Sequence, residues 1–113
     1  MSVQITKISE VFSVSSQVEI EDIAEIARLG YKSIVNNRPD LEGGAAQALN
    51  AQLQEAAKAV GLQYLYLPII PNQMTQAQVD EFKHFYENAP KPVFAFCRTG
   101  NRAGKLFEAA NVS

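Results

Sequence analysis

Four residues separate Cys97, the only cysteine in the sequence, from an arginine: Cys97-Arg98-Thr99-Gly100-Asn101-Arg102. An apolar run from Lys91 to Phe96 leads straight into the cysteine, and a helical pattern with Leu106 and Phe107 restarts at Arg102. The loop therefore turns from a strand into a helix. A tight turn of this kind leaves several backbone N–H groups unpaired, and where it curls they converge on one point to which the helix dipole adds positive potential. An anion fits there. Gly100 permits the curl without a side-chain clash, and Arg102 offers a planar fork of donors that matches an oxyanion. A sulfur at the centre of this field is favoured as the thiolate, the form that acts as a nucleophile. Arg98, Thr99, Gly100 and Asn101 are then the expected substrate-binding segment, with Cys97 and Arg102 as catalytic residues. Read alone, a cysteine at a strand end is most often a small buried hydrophobe. Gly100, Arg102 and the strand–turn–helix setting shift the reading toward function.

A second loop, Val35-Asn36-Asn37-Arg38-Pro39-Asp40, follows another β-favouring segment. Asp40, if protonated, can donate to a leaving alkoxide or phenoxide, and it is the candidate third catalytic residue; the alternative is an exposed turn aspartate after proline. Arg38 is either a second anion donor for the substrate or an ordinary surface arginine. Asn36 and Asn37 are expected to bond loop backbone, Gln17 to be an ordinary loop residue, and His84 to be a partly exposed histidine in a helix. There is no second cysteine, paired histidines or acidic cluster, so neither a metal nor another cofactor is expected.

The elements that must position these loops read as follows. Alternation around Ile5 to Ile8 and Val11 to Val14 gives a pair of N-terminal strands. Ile20, Ile23, Ile26 and Ala27 recur at helical spacing behind acidic Glu19, Glu21 and Asp22, and Gly30 stops the helix. Tyr31 to Asn36 is a buried strand ended by Pro39. Leu49, Leu53, Ala56, Ala57 and Val60 form one helical stripe closed by Gly61. Leu62 to Ile70 reads as a strand covered on both faces and ended by Pro68 and Pro71. Thr75-Gln76-Ala77-Gln78 is a capping-box pattern that starts a helix with Val79, Phe82 and Tyr86 on one face, and Ala89-Pro90 closes it. The expected architecture is a single α/β domain with a five-stranded, mainly parallel sheet and helices on both faces. The expected strand order is one-two-five-three-four, with the Cys97 strand central. Ligands of such sheets bind beyond the carboxyl ends of the strands, where both loops lie.

Composition agrees with one soluble domain over residues 1–113, since 47% of residues are hydrophobic and 19% charged. Net charge is −2, and no basic stripe stands out, so nucleic acid is not an expected partner. No apolar run approaches the ~18 residues of a membrane span, so no membrane partner is expected either. A lone cysteine and an N-terminus without an apolar leader point to the cytoplasm. The expected partner is a small phosphorylated or otherwise anionic substrate.

Val35 to Asp40, Tyr64 to Pro71 with its Leu67-Pro68 step, and Phe96 to Arg102 together resemble the phosphatase-like domain of the beta-lactamase-hydrolase-like family, along essentially the whole chain. That family is similar in fold to dual-specificity protein phosphatases, and it has also been labelled sulfurtransferase because its loop has the length found in rhodaneses. The resemblance implies Cys97 as nucleophile, Arg102 as phosphate clamp and the N–H groups of Arg98 to Arg102 as cradle. Compared with tyrosine phosphatases the loop holds four intervening residues instead of five. Phe96 stands where a histidine is usual, Ala103 where Ser or Thr is usual, and residues 70–74 hold no aspartate. The expected activity is phosphate-ester hydrolysis through a phosphocysteine. The alternatives are a rhodanese-like sulfurtransferase with a Cys97 persulfide and a non-catalytic phosphate-binding module.

Overall fold

The computed structural model describes residues 4–112. The elements in chain order are β1 (Ile5–Ser9), β2 (Phe12–Ser15), α1 (Asp22–Arg28), β3 (Ser33–Asn36), α2 (Asn50–Ala59), β4 (Gln63–Tyr66), α3 (Gln76–Asn88), β5 (Val93–Phe96) and α4 (Asn101–Ala110). They build one five-stranded sheet in the order β1-β2-β5-β3-β4, as expected. β1 runs antiparallel to β2, and β2, β5, β3 and β4 are parallel neighbours.

The two-residue period of β5 sets the layers. Val93 and Ala95 join Phe82 of α3 and Leu106 of α4 in one core. Phe94 and Phe96 join Ile23 of α1 and Leu53 of α2 in the other. All four β5 side chains are fully buried, so this strand is covered on both faces, and each of its phenylalanines contributes roughly 1.5–3 kcal/mol by leaving water. Cys97 continues the alternation into the α3/α4 core. Phe107 of α4 stacks on Phe12 of β2 with ring centroids 4.1 Å apart, which pins the helix that follows the loop against the sheet.

Local signals hold where expected. Thr75 Oγ1 accepts the Gln78 N–H at 3.2 Å and Gln78 Oε1 accepts the Thr75 N–H at 2.8 Å, so the capping box starts α3. Helical stripes prove shorter than their sequence pattern: Ile20 precedes α1, Leu49 and Val60 flank α2, and all three are exposed. β4 departs further. It covers only Gln63–Tyr66, lies at the sheet edge, and its tyrosines are half-buried rather than covered on both faces. Those tyrosines carry hydroxyls that need polar partners: Tyr64 Oη donates to Asn50 Oδ1 and Tyr66 Oη accepts the Asp40 N–H. Pro68 lacks an N–H, yet the Leu67 and Ile69 N–H groups bond to the Asn36 and Asn37 carbonyls. The segment after β4 therefore keeps following β3 and delivers Ile69 to the end of the sheet where Cys97 lies. Among the described residues no helix is long and apolar enough to cross a membrane.

Candidate active site

The loop after β5 is anchored to the end of β2: the Cys97 N–H donates to the Ser15 carbonyl at 3.4 Å. Gly100 then turns through φ 96° and ψ −13°, just before the first residue of α4. A Cβ at Gly100 would lie 3.4 Å from the Ser15 oxygen, an ordinary contact, so conformation and not space demands glycine. The turn aims the Gly100 N–H at Cys97 Sγ, 3.1 Å away. Gly100→Ala is therefore expected to lower stability by ~1–3 kcal/mol, the cost of holding a side-chain-bearing residue in a sparsely populated conformation. Urea denaturation checks this, and a loss of a few tenths of a kcal/mol would show that the loop does not depend on that φ.

The loop N–H groups do not all behave alike. The Asn101 N–H donates to Thr99 Oγ1 at 3.3 Å, so it is spent on the turn itself. Those of Arg98, Thr99 and Arg102 take no protein partner among the described residues. Cys97 is completely buried, while Arg98, Thr99 and Asn101 are exposed.

Arg102 reaches back across this loop. Its Nη1 donates to Glu42 Oε2 at 2.8 Å and to the Ile69 carbonyl at 2.7 Å, and its Nη2 donates to Glu42 Oε1 at 2.7 Å. A guanidinium has five N–H donors. The Nε–H and the second Nη2–H are therefore left over from Glu42 and Ile69, and they lie along one edge of the fork. The hydrogen bond that Arg102 donates to Glu42 is the main force that raises the Arg102 pKa above its ordinary value; burial opposes it, and the Cys97 sulfur adds to the rise. Glu42 in turn has its carboxyl held below the usual value, chiefly by the Arg102 hydrogen bond, against desolvation and with help from Arg38.

Glu42 was not legible as a site residue in the sequence. It supplies the counter-charge that an arginine folded over a buried thiol needs, and it stands four residues after Arg38 in the facing loop. Arg38 Nε donates to Glu42 Oε1 at 3.0 Å, and its Nη1 donates to Gln17 Oε1 at 3.1 Å. Its side chain is only 11% exposed, so Arg38 is no ordinary surface arginine, and Gln17 is part of its support. Gly43 leaves room for it, since a Cβ there would come 2.7 Å from Arg38 Nη2. Buried Gln47 shapes the same loop by accepting the Gly43 N–H and donating to the Pro39 carbonyl. Asn36 and Asn37 hold backbone, as expected: Asn36 Oδ1 accepts the Arg38 N–H and Asn37 Nδ2 donates to the Leu67 carbonyl.

Asp40 takes the place of an exposed turn aspartate, the second of its two sequence readings. Its Oδ1 accepts the N–H of Asn50, the first residue of α2, at 2.8 Å. It is exposed and lines neither cleft beside the loop. One cleft, of about 550 Å³, runs between the loop and Ile69, Pro71 and Met74. The other, of about 570 Å³, lies between Arg38, Glu42 and Arg98. Arg102, Arg98 and Pro71 border both. His84 is exposed on α3 and lines neither.

A thiol at the base of a strand-to-helix loop, with an arginine folded over it, is a phosphatase-like arrangement, and the comparison with known proteins agrees. Residues 4–112 match the phosphatase-like domain of the beta-lactamase hydrolase-like proteins. The chain belongs to this family. The beta-lactamase hydrolase-like protein of Agrobacterium fabrum is 36% identical to this phosphatase-like domain over 101 residues, which are 89% of the chain and 23% of that relative. The chain spans about a quarter of the length of the curated relatives it matches. A crystal structure of a candidate phosphatase from Neisseria meningitidis superposes with a TM-score of 0.80 at 32% identity, covering 89% of this chain and 71% of that one. The fold is also that of TpbA from P. aeruginosa, solved as a Cys→Ser variant in complex with phosphotyrosine. There the TM-score is 0.66 at 22% identity, over 93% of this chain and 60% of that one.

Proposed function

We propose that this domain is a cysteine-dependent phosphoric monoester hydrolase. Cys97 Sγ attacks phosphorus, the S–P bond forms as the ester P–O bond breaks, and the leaving oxygen takes a proton from water. A water molecule then attacks phosphorus, the S–P bond breaks, and phosphate and the thiolate are released. The observation that carries this reading is the Gly100 N–H donating to Cys97 Sγ at 3.1 Å beneath an arginine with one edge left over. That N–H stabilises negative charge on sulfur both when it attacks and when it leaves. The leftover Arg102 edge and the unpaired loop N–H groups suit the equatorial oxygens of a phosphoryl group in transfer. Membership of a phosphatase-like family, and the phosphotyrosine held by TpbA, support a phosphorylated substrate. Cys97 is covered and Gly100 is buried, while Arg98, Thr99 and Asn101 are exposed, so the substrate meets the site from the face that those three residues present. A free thiol nucleophile needs reducing surroundings, which favours action in the cytoplasm.

Leaving-group protonation has no dedicated acid in this arrangement. Glu42 is held ionised by two arginines and Asp40 is tied to Asn50. Asp40 serves as general acid only if the Asn50 contact is released. An aryl phosphate, whose leaving group needs protonation least, is therefore the substrate to assay, with wild-type protein and Cys97→Ser in parallel. Phosphate release that depends on Cys97 supports the proposal, and release that persists in the variant overturns it.

The four-residue interval and the missing acid favour one second reading, transfer of a sulfane sulfur through a Cys97 persulfide, since a thiol acceptor requires no protonated leaving group. Thiocyanate formation from thiosulfate and cyanide, lost in Cys97→Ser, would select it over hydrolysis. Activity in neither assay, with phosphate still bound, would leave a phosphate-binding module.

Glu42 is a positioning residue in this mechanism, because it orients Arg102 without touching the phosphoryl group. Two effects of Glu42→Gln oppose each other. Removing a carboxylate near a dianionic substrate helps binding, and loosening the fork misplaces the clamp in the transition state. The second governs turnover, so kcat is expected to fall by ~10-fold or more while KM does not rise. A rise in KM at constant kcat would instead make Glu42 part of substrate binding. The depressed Glu42 carboxyl also sets the pH window: the pair is intact above 4.5, the usual value for such a group, and is lost only as pH falls below it.

A further inference from the structure

The cleft between α4 and the segment after β4 has walls of opposite character. Ile69, Pro71 and Met74 make one side apolar, while Arg98, Arg102 and Lys105 face the other, and no carboxylate lines it. Arg102 is engaged by Glu42. The side chains of Arg98 and Lys105 have no hydrogen-bond or ion-pair partner among the described residues, and both residues are exposed. Lys105 stands one helical turn, ~6 Å of rise, beyond Asn101 on the same stripe of α4, and Ala109 continues that stripe as lining. On the opposite side of Arg102 the second cleft contains Arg38, but that cation already holds Glu42 and Gln17. Unpaired positive charge is thus concentrated on the Lys105 side, in a chain whose net charge is −2. Inorganic phosphate in the Cys97 loop would leave this charge and the apolar wall unused.

We propose that the substrate is a phosphate monoester whose carbon body carries a second anionic group, phosphate or carboxylate, and that Arg98 and Lys105 bind that group while the body lies against Ile69, Pro71 and Met74. This deepens the phosphatase reading and rests on it for which phosphate reacts. Arg98 borders both clefts and directly follows Cys97 in the loop, so it joins recognition of the second anion to the loop that holds the reacting phosphate.

The test is a binding comparison on the Cys97→Ser protein, using phenylphosphonate and benzene-1,4-diphosphonate, whose two phosphonates are held about one helical turn apart. Calorimetry is expected to show the diphosphonate binding ~10-fold or more tighter, the gain from charge-assisted contacts to two cations. In Arg98→Ala/Lys105→Ala the preference should shrink to about the twofold statistical advantage of a symmetric ligand, with circular dichroism confirming the fold. A 4-phosphonobenzoate arm reports whether a carboxylate satisfies the subsite as well as a phosphonate does. A preference under about threefold in the parent protein, or one that survives the double substitution, overturns the proposal. Cys97-dependent turnover of phenyl phosphate tests the phosphatase reading separately, so failure of one reading is not mistaken for failure of the other.

Discussion

Cys97→Ser is expected to reduce hydrolysis of an aryl phosphate by ~1,000-fold or more, since it removes the group that forms the covalent intermediate. Serine has nearly the same shape, and its hydroxyl can still accept the Gly100 N–H that now lies 3.1 Å from the sulfur. The fold should therefore survive, and so should anion binding, which uses the loop N–H groups and Arg102 rather than the sulfur. The informative result is the combination: an unchanged urea midpoint, retained phosphonate affinity measured by calorimetry, and turnover at background. Loss of all three would mean that Cys97 is chiefly a core residue, a role its burial among Val35, Leu67 and Ala103 makes a serious competitor. Retained turnover would remove the nucleophile from the mechanism altogether.

What the sequence disclosed about this site follows a physical division. β5 was readable because Val93 to Phe96 is a short apolar run ending in an unusual polar loop, and a strand apolar on both faces must be central. Its register then places Cys97 beyond the carboxyl end, beside the loop that follows β3. α3 was readable because capping is local, and Thr75 and Gln78 state it within four residues. β4 is shorter than its sequence pattern because apolar and aromatic side chains around Tyr64 and Tyr66 look alike in sequence whether they face core or carry hydroxyls to an edge. The Glu42–Arg102 pair joins residues 60 apart, and no local pattern announces a partner at that distance. Asp40 is ambiguous in sequence for the related reason that a turn aspartate has the same local signature whether it faces a cleft or accepts an N–H from the helix ten residues on.

Arg102→Lys separates a clamp for the transition state from a mere positive charge near a reactive sulfur. Lysine preserves the charge, so an attraction that depended on charge alone would be largely kept. It cannot preserve the division of labour seen in the guanidinium. One edge of Arg102 holds both oxygens of Glu42 and the Ile69 carbonyl, at 2.7 to 2.8 Å, while the other edge stays available to the loop. A single ammonium has three donors at one point, so contacts to Glu42 and Ile69 compete directly with contacts to the phosphoryl oxygens. A phosphoryl group in transfer spreads charge over equatorial oxygens, two of which a planar edge meets together. Turnover should consequently fall by ~100-fold or more, in the range found when one preorganised charge-stabilising donor is lost. The far-ultraviolet spectrum and thermal midpoint should change little, because Arg102 is pinned by polar contacts at a rim and not by the apolar core. The matched measurement is kcat/KM for an aryl phosphate in Arg102→Lys alone and combined with Glu42→Gln. If Glu42 acts only through the fork, the second substitution adds little once the fork is gone, so the two losses are strongly non-additive. Turnover by Arg102→Lys within a few-fold of the parent protein would show that charge suffices and that the bidentate edge is not what stabilises the transition state.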